Sequence, residues 1–146
     1  KYLDKYNNEY IVVKCGGSVL LDKNLFNNFI NDISILNKLG FIPVIIHGGG
    51  KRISNKLNEA GIKSDFINGL RVTDDKSISI VEEVLNEFNK EITEALKKNG
   101  CDGQGITNKQ NNILVVEQEN QDLGFVGTPK KINVTARVLL VNKIIL

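Results

Sequence analysis

Val44-Ile45-Ile46-His47-Gly48-Gly49-Gly50-Lys51 is the stretch that decides the fold: an apolar run that ends in three consecutive glycines. Ile42 to Ile46 reads as a buried strand, and Lys51 to Ala60 as the helix that follows it. Glycine reaches positive φ without strain and lets a ligand approach the main chain with no Cβ in the way. Where a strand, a glycine turn and a helix start meet, unpaired N–H groups and the positive end of the helix dipole converge, which favours phosphate or another anion. Plain loop geometry accounts for three glycines equally well, so the motif alone leaves both readings open.

Upstream lies a second junction of the same form. Tyr10-Ile11-Val12-Val13 is a short β-branched strand that runs into Lys14-Cys15-Gly16-Gly17-Ser18. Between the two strands, Leu25, Phe26, Phe29, Ile30, Ile33, Leu36 and Leu39 recur at helical spacing, closed by Gly40 as a C-cap. Strand, helix and strand in this order make a right-handed βαβ unit with parallel strands. Both glycine loops then emerge at the carboxyl edge of one sheet and can face one ligand. Lys1 to Glu9 is polar, with Tyr2 and Tyr6 at a helical spacing, and reads as a frayed terminus.

Downstream, Ile53, Leu57 and Ala60 line a short helix ending at Gly61, and Asp65 to Val72 is expected to be irregular. Thr73 is the expected N-cap of a long helix, with Asp74 and Asp75 in its first turn. Ile78, Val81, Leu85, Phe88, Ile92 and Ala95 form its apolar stripe, which stops at Asn99-Gly100. Ile80 and Val84 beside that stripe leave apolar area for a partner subunit. Gly103 to Thr107 reads as a turn or short strand; Ile113 to Glu117 and Leu123 to Pro129 read as a hairpin appended to the sheet, with Pro129 at an edge or end. Val134 to Val141 is helix-like, capped by Asn133 or Thr135, and Lys143 to Leu146 begins a strand. A strand cut at its start leaves a sheet edge open, so the chain is expected to be the N-terminal part of a longer protein.

A length of 146 residues suits about one domain, and 41% hydrophobic residues, 25% charged residues and a net charge of +2 describe an ordinary globular protein. Neither nucleic acid nor membrane is implied: no run approaches the ~18 apolar residues of a membrane span. Cytoplasm is the expected location, or a plastid if a targeting segment was removed. Cys15 and Cys101 have no metal-ligand spacing and are expected to be reduced.

Four side chains are candidates for chemistry. Lys14, at a strand end beside two glycines, can aim an ammonium at an oxyanion held by the neighbouring amides, or extend into water. Arg71 suits a guanidinium fork gripping a carboxylate, although a loop arginine often does nothing. His47, the single histidine, could act as a base, but a histidine there more often bonds the loop backbone. Cys15 is expected to face away from Lys14 and to be no nucleophile. The Gly-x-x-x-x-Gly-Lys-Ser/Thr loop, the Gly-x-Gly-x-x-Gly fingerprint, paired metal-binding histidines and a Ser/His/Asp set are all missing from the sequence.

Taken together, Lys14-Cys15-Gly16-Gly17, His47-Gly48-Gly49-Gly50, Asn68-Gly69-Leu70-Arg71-Val72-Thr73-Asp74 and Asp122-Leu123-Gly124-Phe125-Val126-Gly127 resemble the N-terminal half of the N-acetylglutamate kinases of the amino acid kinase family. The resemblance runs from about Tyr10 to about Asn133. It implies a three-layer αβα sandwich with a mainly parallel sheet, and a single N-terminal domain over 1–146 for substrate binding and dimerisation. The ATP-binding domain would follow it, and this chain alone is expected to turn over little or nothing. The implied reaction transfers the γ-phosphate of ATP to the γ-carboxylate of N-acetyl-L-glutamate, a step of arginine biosynthesis. Lys14 would be catalytic and stabilise the transferring phosphoryl group. Gly16, Gly17, Gly49 and Gly50 would bind phosphate, and Gly49, Gly50 and Arg71 the substrate, with Arg71 on its α-carboxylate. Magnesium would be held by ATP phosphates, with no protein ligand. A homodimer through the helix around Ile78–Ala95 is implied, and the Tyr2–Tyr6 segment resembles the end of an extra helix in hexameric, arginine-regulated members. Gly105-Ile106-Thr107-Asn108-Lys109 departs from the usual Gly-Leu-Ser-Gly-Lys. Rival readings are a related kinase for an aminoadipate or aspartate group, a non-catalytic amino-acid-binding or dimerisation module, and a dinucleotide-binding domain.

Overall fold

A computed structural model describes residues 3–17, 19, 21–133, 144 and 145. Strand β1 (Tyr10–Cys15), helix α1 (Lys23–Lys38) and strand β2 (Ile42–His47) form the expected unit, and β1 pairs with β2 in parallel with Lys14 beside Ile46 and Cys15 beside His47. Asp22 starts α1 by accepting from the Asn24 and Leu25 amides, and Gly40, at φ +96°, ends it as only glycine does cheaply. Helix α2 (Gly50–Glu59) follows the three glycines, and α3 (Asp75–Lys98) is the long helix. Two-residue strands β5 (Gly103–Gln104) and β8 (Ile144–Ile145) complete a four-stranded sheet in the order β1-β2-β8-β5. Every pairing in it is parallel.

Strand β8 therefore lies inside the sheet, between β2 and β5. Val13, Cys15 and Ile45 point to one face of the sheet and pack with Ile30 and Ile33 of α1 and Phe88, Ile92 and Leu96 of α3. Each of these large side chains, fully buried, is worth about 1.5–3 kcal/mol. The alternate residues of the strands, Tyr10, Val12 and Ile46, are 51, 64 and 52% exposed on the other face. The helix expected from Val134 to Val141 lies outside the described residues.

Several local expectations need correction. The N-cap of α3 is Asp74, not Thr73: the Asp74 carboxylate accepts from the Ser77 amide, and the Ser77 hydroxyl oxygen accepts from the Asp74 amide. Thr73 is instead buried and bridged to Gly124. Val84 is 1% exposed in a cluster with Ile53 and Leu57 of α2, so it is covered within the chain, whereas Ile80 packs against the same cluster and stays partly exposed. Asp65 to Val72 is not irregular: Phe66–Ile67 (β3) and Leu70–Arg71 (β4) form an antiparallel hairpin. Asn68 and Gly69 both have positive φ, 51° and 81°, the geometry of the tight two-residue turn that Asn-Gly favours.

Beyond the four-residue helix α4 (Asn108–Asn111), strands β6 (Leu114–Gln118) and β7 (Gly127–Ile132) pair as a separate two-stranded sheet, not an extension of the main one. Leu123 falls in a 3-10 turn before β7. Pro129 sits inside β7 opposite Val116, where the register shifts, so its missing N–H falls at an irregularity. At the other end, Leu3–Tyr6 is a 3-10 turn tied down rather than frayed: the Tyr6 ring stacks on Phe41 at 6.0 Å, and the Asn8 amide donates to the Gly40 carbonyl at 2.7 Å. Among the described residues no helix is long and apolar enough to cross a membrane.

Candidate anion and carboxylate site

The parallel pairing of β1 with β2 sets the two glycine loops side by side. A Cβ on Gly17 would come 3.9 Å from the Gly50 amide nitrogen and 4.0 Å from the Gly48 carbonyl oxygen. The loops differ in electrostatics. α1 begins six residues after Gly17, with its first amides already held by the Asp22 carboxylate. α2 begins directly at Gly50, after Gly49 as an N-cap that offers no side chain to the helix start. Its first-turn N–H groups stay open for an anion, and the dipole favours one there.

The three glycines have different reasons to be glycine. Gly49 is buried, and a Cβ there would lie 3.1 Å from both Ile53 Cδ1 and Leu85 Cδ2, so packing of α2 on α3 requires it. Gly48 and Gly50 are exposed, and a Cβ on either meets nothing within 4 Å. Open space above Gly50 is what close ligand approach needs.

Arg71 reaches this helix start from the hairpin. Its Nη2 donates to the Gly50 carbonyl at 3.0 Å and to Ser54 Oγ at 2.9 Å, while its guanidinium lies 4.6 Å above the Phe66 ring, its cross-strand partner. Nη1 is buried with no hydrogen-bond partner among the described residues. Burial pushes the Arg71 pKa below its ordinary value, yet a guanidinium stays charged at any physiological pH. Both acceptors on Nη2 are neutral. The result is a half-buried cation with one arm of its fork anchored and the other buried and unpaired.

Lys14 lies one strand away, exposed beside Ile46, with its side chain on the sheet face opposite Cys15. No hydrogen bond or ion pair joins it to Arg71 or to another described residue. Cys15 is 4% exposed in the core, and burial raises its thiol pKa, which suits packing rather than nucleophilic attack. His47 packs edge-on against Phe88 at 5.4 Å with Nδ1 buried and unpartnered, while a hydrogen bond with the Gly48 backbone pulls against the effect of burial on its pKa. Burial pushes its pKa down, which keeps the imidazole neutral. Arg52, in the first turn of α2, is withdrawn from the site: it forks onto Glu91 at 2.6 and 2.9 Å and stacks 4.7 Å over Phe88, pinning α2 to α3. Among the described residues no three His, Cys, Asp or Glu side chains converge as a metal site.

The Arg71 segment is anchored from behind. The Thr73 amide donates to the Leu123 carbonyl at 3.1 Å, and the Phe125 amide donates to the Thr73 carbonyl at 2.8 Å. Gly124, at φ +65°, lies so close to the Thr73 carbonyl that a Cβ would overlap it. Two segments about 50 residues apart in sequence are thus joined backbone to backbone, two residues along the chain from Arg71. Sequence reading missed Ser54 and Phe66. The Asn68-Gly69 pair was the available signal, because a two-residue turn there puts Phe66 opposite Arg71.

Acetylglutamate kinase of Pelagibacter ubique (strain HTCC1062) is 64% identical over 133 residues, which are 91% of this chain and 46% of that protein. Acetylglutamate kinase of Campylobacter curvus (strain 525.92) is 44% identical over 134 residues, 90% of this chain and 48% of the relative. The chain spans about half the length of the curated relatives it matches. Among solved structures, smu.665 from Streptococcus mutans UA159 superposes with a TM-score of 0.76 at 26% identity, over 93% of this chain and 56% of the other. N-acetylglutamate synthase from Neisseria gonorrhoeae superposes with a TM-score of 0.79 at 22% identity, over 99% of this chain and 34% of its own, a likeness of fold. The amino acid kinase family model matches residues 9–141, a range that takes in both glycine loops, the Arg71 hairpin and the Gly124 crossing, and the chain belongs to that family.

Proposed function

We propose that this chain is the N-acetyl-L-glutamate-binding and dimerisation half of an ATP-dependent carboxylate kinase, an acetylglutamate kinase working in arginine biosynthesis in the cytoplasm or a plastid. The observation that carries the reading is the buried, unpaired arm of Arg71 beside the uncapped start of α2. A substrate with carboxylates at both ends suits such a site, and the similarity to acetylglutamate kinases supports the acetylated amino acid. The related-kinase and binding-module readings are separated from it by the experiments below.

In this reading Arg71 holds the α-carboxylate through Nη1. The γ-carboxylate lies at the α2 start, already ionised at neutral pH because its ordinary pKa is near 4.3, so it attacks without a general base. A neutral His47 facing Phe88 is consistent with a reaction that needs no proton removed. The amides of Gly16, Gly17, Gly49 and Gly50 receive the transferring group, and Lys14 neutralises charge that develops on it. ATP held by a second domain would supply that group, and magnesium would serve to neutralise charge on its phosphates. Dimerisation involves the Ile78–Ala95 part of α3, where Ile78, Val81 and Leu85 line an open hollow of about 310 Å³.

The test joins this chain to the remaining half of the Pelagibacter relative and traps acyl phosphate with hydroxylamine. ATP-dependent trapping with N-acetyl-L-glutamate is expected, selective over N-acetylaspartate and N-acetylaminoadipate. Lys14→Ala should lower turnover by roughly 10²–10³-fold while binding of the amino acid persists. Absence of trapping by the joined parent points to a non-catalytic module, equal turnover of the Lys14→Ala variant removes the catalytic role of Lys14, and a normal rate from the isolated chain overturns the two-domain reading.

A further inference from the structure

We propose that Ser54 and Phe66 are positioning residues for Arg71, setting its guanidinium so that Nη1 meets the substrate carboxylate without being neutralised beforehand. The proposal rests on the reading above in one respect, the identity of the anion.

Ser54 sits one turn into α2, and its hydroxyl donates to the Gly50 carbonyl at 3.0 Å. With that proton committed, only its lone pairs are left to face Arg71, and Nη2 donates to them at 2.9 Å. Nη2 also donates to the Gly50 carbonyl at 3.0 Å, so two acceptors fix the rotation of the guanidinium in its own plane. The Phe66 ring, 4.6 Å away, fixes the tilt of that plane. The two constraints come from different elements, α2 and β3, and together they tie the hairpin to the start of α2. An arginine side chain otherwise loses much rotamer freedom on binding a carboxylate, and orienting it in advance lowers that cost.

The chemistry of the anchors matters as much as their positions. A carboxylate at position 54 would hold Nη2 more tightly but cancel the charge that binds substrate. A hydroxyl and a carbonyl orient the fork and leave its charge intact. Arg52, two residues earlier, shows the opposite arrangement: its fork is closed on Glu91 and is not open to a ligand.

The experiment uses this chain with N-acetyl-L-glutamate as the probe in calorimetric titration, and side-chain arginine signals in ¹⁵N-edited NMR spectra. Ser54→Ala should weaken binding about three- to tenfold, Ser54→Thr should restore it, and Ser54→Asp should weaken it most although it adds an ion pair. Phe66→Leu, which keeps bulk but loses the ring face, should weaken binding as Ser54→Ala does. In the spectra, the Arg71 Nη–H signals should be resolved in the parent and merge in Ser54→Ala through faster rotation, while those of Arg52 stay unchanged as an internal control. Unchanged Arg71 signals in Ser54→Ala, or Ser54→Asp binding as well as the parent, would overturn the positioning role. If the signals respond as expected but the parent does not bind N-acetyl-L-glutamate, the positioning holds and the functional reading falls.

Discussion

Gly49→Ala and Gly50→Ala should act with opposite signs although they alter adjacent residues by the same methyl group. At Gly49 the new Cβ would lie 3.1 Å from Ile53 Cδ1 and from Leu85 Cδ2. Carbon atoms prefer about 3.5–4.0 Å, so each neighbour must retreat by several tenths of an ångström. Leu85 is half-buried and can give, whereas Ile53 is 6% exposed and cannot. Backbone strain is absent, since φ is −124°. Overpacking of about 1–3 kcal/mol and a poorer N-cap worth up to about 1 kcal/mol give an expected loss of about 2 kcal/mol. In thermal unfolding that is a fall of about 4–8 °C. At Gly50 the Cβ enters open space at the first helical position, where alanine is the better helix former, and about 0.5 kcal/mol of stabilisation is expected. The same methyl obstructs the approach to the α2 amides, and binding of N-acetyl-L-glutamate should fall at least about tenfold. Denaturant unfolding and titration on the two variants check both. A Gly49→Ala chain with parental stability would refute the packing argument, and a Gly50→Ala chain with parental affinity would refute the ligand argument.

The acid limb of stability should respond to Asp74. Hydrogen bonds from the Ser77 hydroxyl and amide hold its carboxyl below the ordinary value of 3.8, so its contribution is complete above that pH and lost as pH falls through the folded value. Asp74→Asn should flatten this limb in urea titrations. The earlier decline that begins below about pH 6.5, from burial of neutral His47, should stay as it was. Gly124→Ala places a methyl against the Thr73 carbonyl at a φ of +65°, where no side chain is at ease, and about 3 kcal/mol or more should be lost. Faster amide exchange at Thr73 and Phe125 would locate that damage, and unchanged exchange would disprove the crossing.

Much of the site was legible because local patterns carry it. Apolar runs that end in glycine marked both loops, and the 3.6-residue stripe of α1 implied a crossover, hence parallel strands and adjacent loops. The expectation for α3 held in length and failed in detail. Its periodicity shows that Val84 lies near the apolar face but not whether α2 or a second subunit covers it. The cap moved from Thr73 to Asp74 because both are competent residues, and the choice was made by Thr73 pairing with Leu123 and Phe125.

What the sequence determined by itself was the βαβ unit, the placing of two glycine loops on one edge, and Lys14 and Arg71 as the cations near them. All depend on interactions within about 40 residues, where steric and hydrophobic periodicity decide the outcome. Only the tertiary structure decided that packing requires Gly49, that β8 enters the middle of the sheet, and that Arg71 meets Ser54 and Phe66 with one arm buried and unpaired. Those features are contacts between elements distant in the chain. Their energies depend on distances of a few tenths of an ångström, which residue spacing does not encode.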